Sequence, residues 1–383
     1  MVLLKYLNLT PMLKIRNKTQ IMLYLPLRNT AFLLSLKLLC FNKFVDNTEK
    51  ILYNVKRYKV KRCMNGVSIM KKRILVIGSS NMDFVCNTEK IPEAGETLIS
   101  NQNYMLVPGG KGGNTAIAAA RLGADCVFCA RLGNDSYGKS LYEFYKNEGI
   151  DVRHVHIDRE HSTGIASIIV EENGDNRIIV YPGANMHFTD EDIEGAVITY
   201  PGAAIMQLEI DFERVVEATR LCNARDIPVV IDAGAVNGNL DLSRLGKLEI
   251  FTPNEIETEI LTGIKPVAYE SCIAASIALR KLVDTKYVVL KLGDKGCFVY
   301  DGKYANFSEA FKINAVDTTA AGDSFTAALT LEYLRNKKNI LEAARYANAT
   351  GAMVSTKQGA SSSIPRHEEV VRFIENWEKE NML

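Results

Sequence analysis

Two glycine-containing clusters carry the residue types best suited to chemistry. In Pro108-Gly-Gly-Lys-Gly-Gly-Asn114, four glycines surround Lys111 directly before a helical pattern. Glycines at 109, 110, 112 and 113 allow backbone to approach a ligand closely, Lys111 adds a cation, and Asn114 can cap the helix or bind a hydroxyl. A tight turn needing positive φ would explain one or two of these glycines, not four beside a lysine and an asparagine. The second cluster, Asp317-Thr-Thr-Ala-Ala-Gly-Asp323-Ser-Phe, precedes the helical pattern 325–334. Small residues at Ala320, Ala321 and Gly322 present consecutive amide N–H groups at a helix N-terminus, which suits a phosphate and the charge that develops on its oxygens. Asp323 then stands at that anion site as a carboxylate able to accept a hydroxyl proton. A purely structural Asp favouring the helix dipole leaves the Asp-Thr-Thr and Ala-Ala-Gly runs unexplained.

The familiar nucleotide fingerprints are absent: Gly78-Ser-Ser-Asn81 is not G-x-G-x-x-G, and no G-x-x-x-x-G-K-[ST] occurs. The elements that must hold the clusters read as an alternation. Apolar strand patterns at 74–77, 126–130, 204–208, 228–231, 250–252 and 287–292 are separated in most cases by helical patterns such as 114–122, 211–223 and 269–283. This order predicts a mostly parallel sheet flanked by helices. Residues 81–107 and 162–181 break the alternation and read as strands, the second pair turning at Glu172-Asn-Gly-Asp175. They predict a small β-sheet built from two excursions, placed to serve as a lid over a site at the strand C-termini.

The 383 residues, 47% hydrophobic and 24% charged, exclude low-complexity and wholly disordered classes. The near-neutral net charge of +1 conceals two unlike pieces. Residues 1–69 hold 13 Lys/Arg against Asp46 and Glu49, whereas the remainder holds 33 against 43 acidic residues. An acidic body argues against nucleic acid as a ligand, because neutralising phosphates needs clustered bases. In residues 1–69 no apolar run approaches the length that spans a bilayer. An organelle presequence, a membrane-surface segment and a start codon assigned too far upstream compete for this segment. We favour the last, because Met70-Lys-Lys-Arg opens abruptly onto a buried strand, and we expect nothing before Met70 to belong to the fold. The eight cysteines show no recurring spacing, which argues against a disulfide scaffold and for a reducing cytoplasm. Cys126 and Cys129 fall in one apolar strand and point to opposite faces.

With both clusters in view, the sequence resembles the ribokinase-type carbohydrate kinase family over essentially all of 72–375. GGKGGN and DTTAAGD are similar to the family's two signatures. The resemblance implies the ribokinase-like α/β fold as a domain 70–383, with lid excursions near 82–107 and 162–181. It implies ATP-dependent phosphorylation of D-ribose at O5 in a cytoplasmic enzyme that dimerises through its lid, with no membrane or nucleic-acid partner. A deoxyribokinase, another sugar or nucleoside kinase, and a sugar-binding regulator without catalysis are the alternatives. By resemblance, Asp323 is the catalytic base and Ala320, Ala321 and Gly322 form the anion hole. Asn81, Asp83, Gly109, Gly110, Lys111, Asn114 and Glu209 contact the sugar together with Asp323. Asn254, Lys291, Leu292, Gly293, Asp294, Lys295, Gly296, Gly322 and Asn348 face ATP, and Asn254 with Glu257 organises Mg2+. Asp317, Thr319, Val354, Lys357, Gly359 and Ser363 hold an activating K+. Two departures stand out: the family usually has Gly where Ala320 stands, though its ribokinases often carry Ala, and usually has Thr where Lys291 stands.

Overall fold

The computed structural model describes residues 72–172, 175–236, 239–336 and 339–381, together with three strands nearer the N-terminus. The chain divides into two units, 1–70 and 71–383. In the first, β1 (Met12–Ile15), β2 (Gln20–Tyr24) and β3 (Leu34–Lys37) pair antiparallel in that order. No part of that segment reads as fold from its sequence, because strands of four or five residues are too short for their periodicity to be legible.

The second unit is an α/β fold around a nine-stranded sheet. Its strands are β4 (Arg73–Ile77), β7 (Asp125–Gly133), β8 (Asp151–Asp158), β11 (Ala203–Gln207), β12 (Val229–Asp232), β13 (Lys247–Thr252), β14 (Asp284–Lys291), β15 (Cys297–Tyr300) and β16 (Ala305–Ser308). They lie in the order β16-β15-β14-β13-β12-β11-β4-β7-β8. The seven strands from β14 to β8 are parallel, and β15 and β16 add an antiparallel edge. Helices cover both faces, so the central strands are continuous apolar runs, as in the fully buried Ile74-Leu-Val-Ile77. The two sides form separate cores: Cys126 packs in one and Cys129 in the other, both as free thiols raised by burial.

The remaining strands, β5 (Asn81–Thr88), β6 (Tyr104–Gly109), β9 (Gly164–Glu171) and β10 (Asn176–Tyr181), make a second sheet in the order β10-β9-β5-β6. Each excursion is an antiparallel pair, and β5 joins β9 in parallel. The expected turn at 172–175 includes residues 173 and 174, which lie outside the described residues. Among the described residues no helix is long and apolar enough to cross a membrane.

Candidate active site

The chain leaves β4 on one side for β7 and β8, then returns on its other side at β11. A reversal of this kind opens a crevice at the C-terminal ends of the strands. Chemistry-bearing residues collect at that edge: Ser79 and Ser80 after β4, Glu209 after β11, Asp232 at the end of β12, Asn254 after β13 and Lys291 at the end of β14.

On one side of the crevice the small sheet contributes Asn81 and Asp83 from β5. A Cβ on Gly109, in the neighbouring strand β6, would lie 2.0 Å from Asp83 Oδ2, so glycine there makes room for the carboxylate. Gly110, with φ of 82°, turns the chain into the helix Lys111–Arg121. That helix begins three residues before the expected start at 114, because Gly112 and Gly113 continue it against the exit of β4. A Cβ on Gly112 would come within 2.5 Å of the Gly78 carbonyl carbon, and one on Gly113 within 2.5 Å of the Tyr145 hydroxyl. These two glycines permit close packing. Asn114 is therefore not the cap. From the first helical turn its Nδ2 donates to Asp323 Oδ2 at 2.9 Å.

Asp323 stands in the first turn of the helix Ala321–Arg335, buried. Burial raises its carboxyl to about 6, with Asp232 and Glu209 adding and Lys111 and Asn114 opposing. Burial, then Glu209 and Asp323, raise Asp83 to about 7 against the pull of Lys111. Lys111 is held above the ordinary lysine value chiefly by Asp323. Its backbone N–H donates to Glu209 Oε2 at 3.2 Å, an oxygen that also accepts from Ser79 Oγ at 2.6 Å. Asn81 Oδ1 accepts from Asn185 Nδ2 at 2.8 Å. Asp83 Oδ1 and Asn114 Oδ1, both buried, have no partner among the described residues. An unsatisfied buried acceptor costs about 1–3 kcal/mol, a cost that a ligand bearing hydrogen-bond donors would relieve.

Ala320 caps the helix in the left-handed region, φ 64°, which an L-residue adopts at a cost of about 1 kcal/mol. The Ala321 N–H already donates to the Thr318 carbonyl at 3.1 Å. This leaves the amides of Gly322 and Asp323 as the helix-terminal donors open to an anion.

The opposite half of the crevice is closed on itself. Asn254 and Glu257 form a capping box at the helix Glu255–Thr262, each side chain accepting the other's backbone N–H at 2.8 Å. Burial raises the Glu257 carboxyl, and Lys291 opposes it. Lys291 Nζ lies 2.7 Å from both oxygens of Asp232. The loop 292–296 makes a tight turn with the Leu292 N–H donating to the Gly296 carbonyl at 2.8 Å, and Gly293 and Gly296 both have positive φ. A Cβ on Gly296 would meet the Ser308 carbonyl oxygen at 2.2 Å. The exposed Asp294 lies at the tip of this turn, and Lys295 Nζ donates outward to the Val267 carbonyl at 3.2 Å. Asn348 directs its amide hydrogens to the Ser308 carbonyl at 2.8 Å and the Glu309 carbonyl at 3.1 Å, fixing the segment after β16.

The proposed cation loops come together in part. Asp317 Oδ1 accepts from the Thr319 hydroxyl at 2.6 Å, and Asp317 Oδ2 accepts from the Gly359 N–H at 2.9 Å. Burial pushes Asp317 up, but these donors outweigh it and hold the carboxyl below its usual range. The Val354 carbonyl accepts from the Lys357 N–H at 3.3 Å, and Ser363 Oγ donates to the Ala360 carbonyl at 2.8 Å.

Sequence reasoning missed Ser79, Asn185, Asp232 and Thr326. The one legible signal was Asp232, a carboxylate closing the apolar run Val-Val-Ile-Asp at a strand C-terminus. The others are single polar residues whose burial only tertiary structure reveals.

Residues 71–367 match the family model for pfkB family carbohydrate kinases. A ribokinase of Haemophilus influenzae is 37% identical over 310 residues, which is 80% of this chain and 100% of that protein. A deoxyribokinase of Salmonella typhimurium is 31% identical over 305 residues, 79% of this chain and 98% of the relative. Among solved structures, Arabidopsis thaliana ribokinase complexed with ribose and ATP superposes with a TM-score of 0.72 at 30% identity, covering 80% of this chain and 99% of that one. The chain belongs to the pfkB family of carbohydrate kinases.

Proposed function

We propose that this protein transfers the γ-phosphoryl group of ATP to O5 of D-ribose, forming ribose 5-phosphate and ADP. One observation carries the reading: Asp323, buried at a helix N-terminus, shares its pocket with two acceptors, Asp83 Oδ1 and Asn114 Oδ1, that lack donors. Adjacent ribose hydroxyls supply such donors. The similarity to ribokinases, one of them solved with ribose and ATP, supports the same assignment.

In the proposed reaction Asp323 takes the O5 proton as O5 bonds to phosphorus and the bond to the ADP oxygen breaks. The Gly322 and Asp323 amides face the charge on the transferring group, since such reactions depend on positioning and electrostatics. Asp323 must be ionised to act, so kcat should fall as pH drops through about 6. Asn81, Asp83, Gly109, Gly110, Lys111, Asn114 and Glu209 would hold the sugar. The loop 291–296 would hold the nucleotide, with Asn348 supporting the segment beside it.

Among the described residues no group of three or more His, Cys, Asp or Glu side chains could hold a metal. We propose that Mg2+ arrives with the ATP phosphates and is met by Glu257, whose second oxygen the capping box does not occupy. Bound Mg2+ would neutralise phosphate charge. The Asp317 loop, with carbonyls of Val354 and its neighbours, suits a monovalent cation; equal rates in potassium and in a bulky organic cation would remove that part of the proposal. The exposed Tyr104, Leu106, Ile178 and Val180 of the small sheet support a homodimer through the lid. We further propose a cytoplasmic enzyme whose kinase fold begins near Met70; deleting residues 1–69 should leave activity unchanged.

The test is ADP release with purified protein over ribose, 2-deoxyribose, other pentoses, hexoses and nucleosides. Ribose should give the highest kcat/KM. Preference for 2-deoxyribose would replace this reading with deoxyribokinase.

A further inference from the structure

Lys291 and Asp232 form an ion pair that capping and packing do not explain. The side chains are 13% and 3% exposed. Asp232 is held from several directions: Lys291 Nζ at 2.7 Å from both oxygens, Thr326 Oγ1 donating to Oδ2 at 2.5 Å, and the Gly234 N–H donating to Oδ1 at 3.1 Å. Thr326 lies one helical turn beyond Gly322, and its hydroxyl oxygen also stands 3.0 Å from the Gly322 carbonyl oxygen. The pair is thereby tied to the helix whose first amides are open. A Cβ on Gly322 would sit only 3.6 Å from Lys291 Nζ, so the ammonium borders that amide cluster directly.

Burying two charges costs several kcal/mol before their attraction is counted, and such pairs are often no more stable than apolar side chains of the same size. A buried cation fixed beside an anion-binding helix terminus is better accounted for by a ligand than by stability. Lys111 approaches from the sugar side, its side chain passing over Gly234, where a Cβ would meet Lys111 Cδ at 2.6 Å. Lys291 enters from the nucleotide side, immediately before the loop 292–296. The crevice therefore has one lysine on each side of the helix terminus.

We propose that Lys291 is a polyphosphate-binding residue and that Asp232 is its positioning residue, holding the ammonium beside Gly322 until the terminal phosphates of a nucleoside triphosphate share it. The proposal rests on the kinase reading above and adds to it a cationic contact and the carboxylate that aims it. Because the contact is to phosphate and not to base or sugar, its removal should discriminate among nucleotides by phosphate number.

The test compares Lys291→Met, Lys291→Arg, Asp232→Asn and the double variant Lys291→Met/Asp232→Asn. Calorimetry measures binding of a non-hydrolysable ATP analogue, ADP, AMP and ribose; steady-state kinetics separates kcat from KM for ATP. Lys291→Met should weaken the ATP analogue at least tenfold, leave AMP and ribose within twofold, and lower kcat/KM for ATP by about 10² to 10³, the range for losing one electrostatic contact to a transition state. Lys291→Arg should recover part of the loss. Asp232→Asn should raise KM for ATP with a smaller change in kcat, and the double variant should remain as poor as Lys291→Met. Recovery of ATP binding in the neutral double variant, or equal weakening of AMP and ATP, would overturn the proposal and leave the pair a structural one. If wild type proves inactive on every sugar, the kinase reading fails, while the dependence of binding on phosphate number still decides the role of Lys291.

Discussion

The two halves of the crevice are built on opposite principles. On the proposed sugar side two buried oxygens, Asp83 Oδ1 and Asn114 Oδ1, have no partner among the described residues, and two carboxyls are raised by burial to about 7 and about 6. On the proposed nucleotide side the side chains pair with one another or with the backbone: Asn254 with Glu257, Lys291 with Asp232, Asn348 with the segment after β16. The first half is preorganised and electrostatically expensive, so its ligand relieves a cost. The second is self-satisfied, so its ligand must exchange partners. A small rigid polyol suits the former, and a large flexible nucleotide carrying its own charge suits the latter.

The sharpest way to break this contrast is at Asp323. Asp323→Asn should lower kcat by about 10² to 10⁴, the usual scale of a general base, while ribose still binds by calorimetry; near-normal turnover would refute the role. Next, Asp83→Ala should lower kcat/KM for ribose by about 10² or more, since hydrogen bonds to a charged group contribute about 1.5–3 kcal/mol each, with KM for ATP little changed. Unaltered sugar kinetics would remove Asp83 from the site.

The cost itself is measurable in the unliganded protein. A carboxyl raised from its unfolded value near 4 to about 7 binds its proton more tightly when folded. Its contribution to stability is therefore full below pH 4 and is lost as pH rises to 7. Asp83→Asn, neutral throughout, should be more stable than wild type by a few kcal/mol at pH 8 and nearly equal to it at pH 4; equal stability at both would contradict the cost. On the nucleotide side, Asn348→Ala should behave oppositely, losing about 1–3 kcal/mol of stability and raising KM for ATP but not for ribose. Smallest of all, Ala320→Gly should relieve the left-handed strain and gain at most about 1 kcal/mol, read as a slightly higher Tm.

These differences also explain what the sequence could and could not reveal. Buried strands such as Ile74-Leu-Val-Ile77 were legible because a doubly covered sheet demands unbroken apolar runs. The β5–β6 and β9–β10 excursions were legible as departures from that pattern. The helix start at Lys111 was not, because Gly112 and Gly113 read as loop until Gly78 and Tyr145 are seen pressing against them. Asn254 and Glu257 are assigned to Mg2+ only by resemblance, and their spacing also encodes a capping box, a structural role visible only when both hydrogen bonds are. Asn185 forms no motif at all, and Asp232 shows only as a carboxylate closing an apolar run; partners 104 and 59 residues away in the chain define them.

The antiparallel pairing of β5 with β6 sets a parity rule for how this site can change. Asn81 and Asp83 are two apart on one strand, so both point to the same side of the small sheet, and Asn81 is paired across from Gly109, the glycine that clears space for Asp83. Inserting one residue into β5 before Asp83 would turn that carboxylate to the other face. Two inserted residues would restore its face but set it opposite a different neighbour, without the clearance that Gly109 provides. The small sheet can therefore vary in the long connection between β5 and β6, residues 89–103, while the strand segment carrying the proposed sugar contacts has almost no freedom to change length.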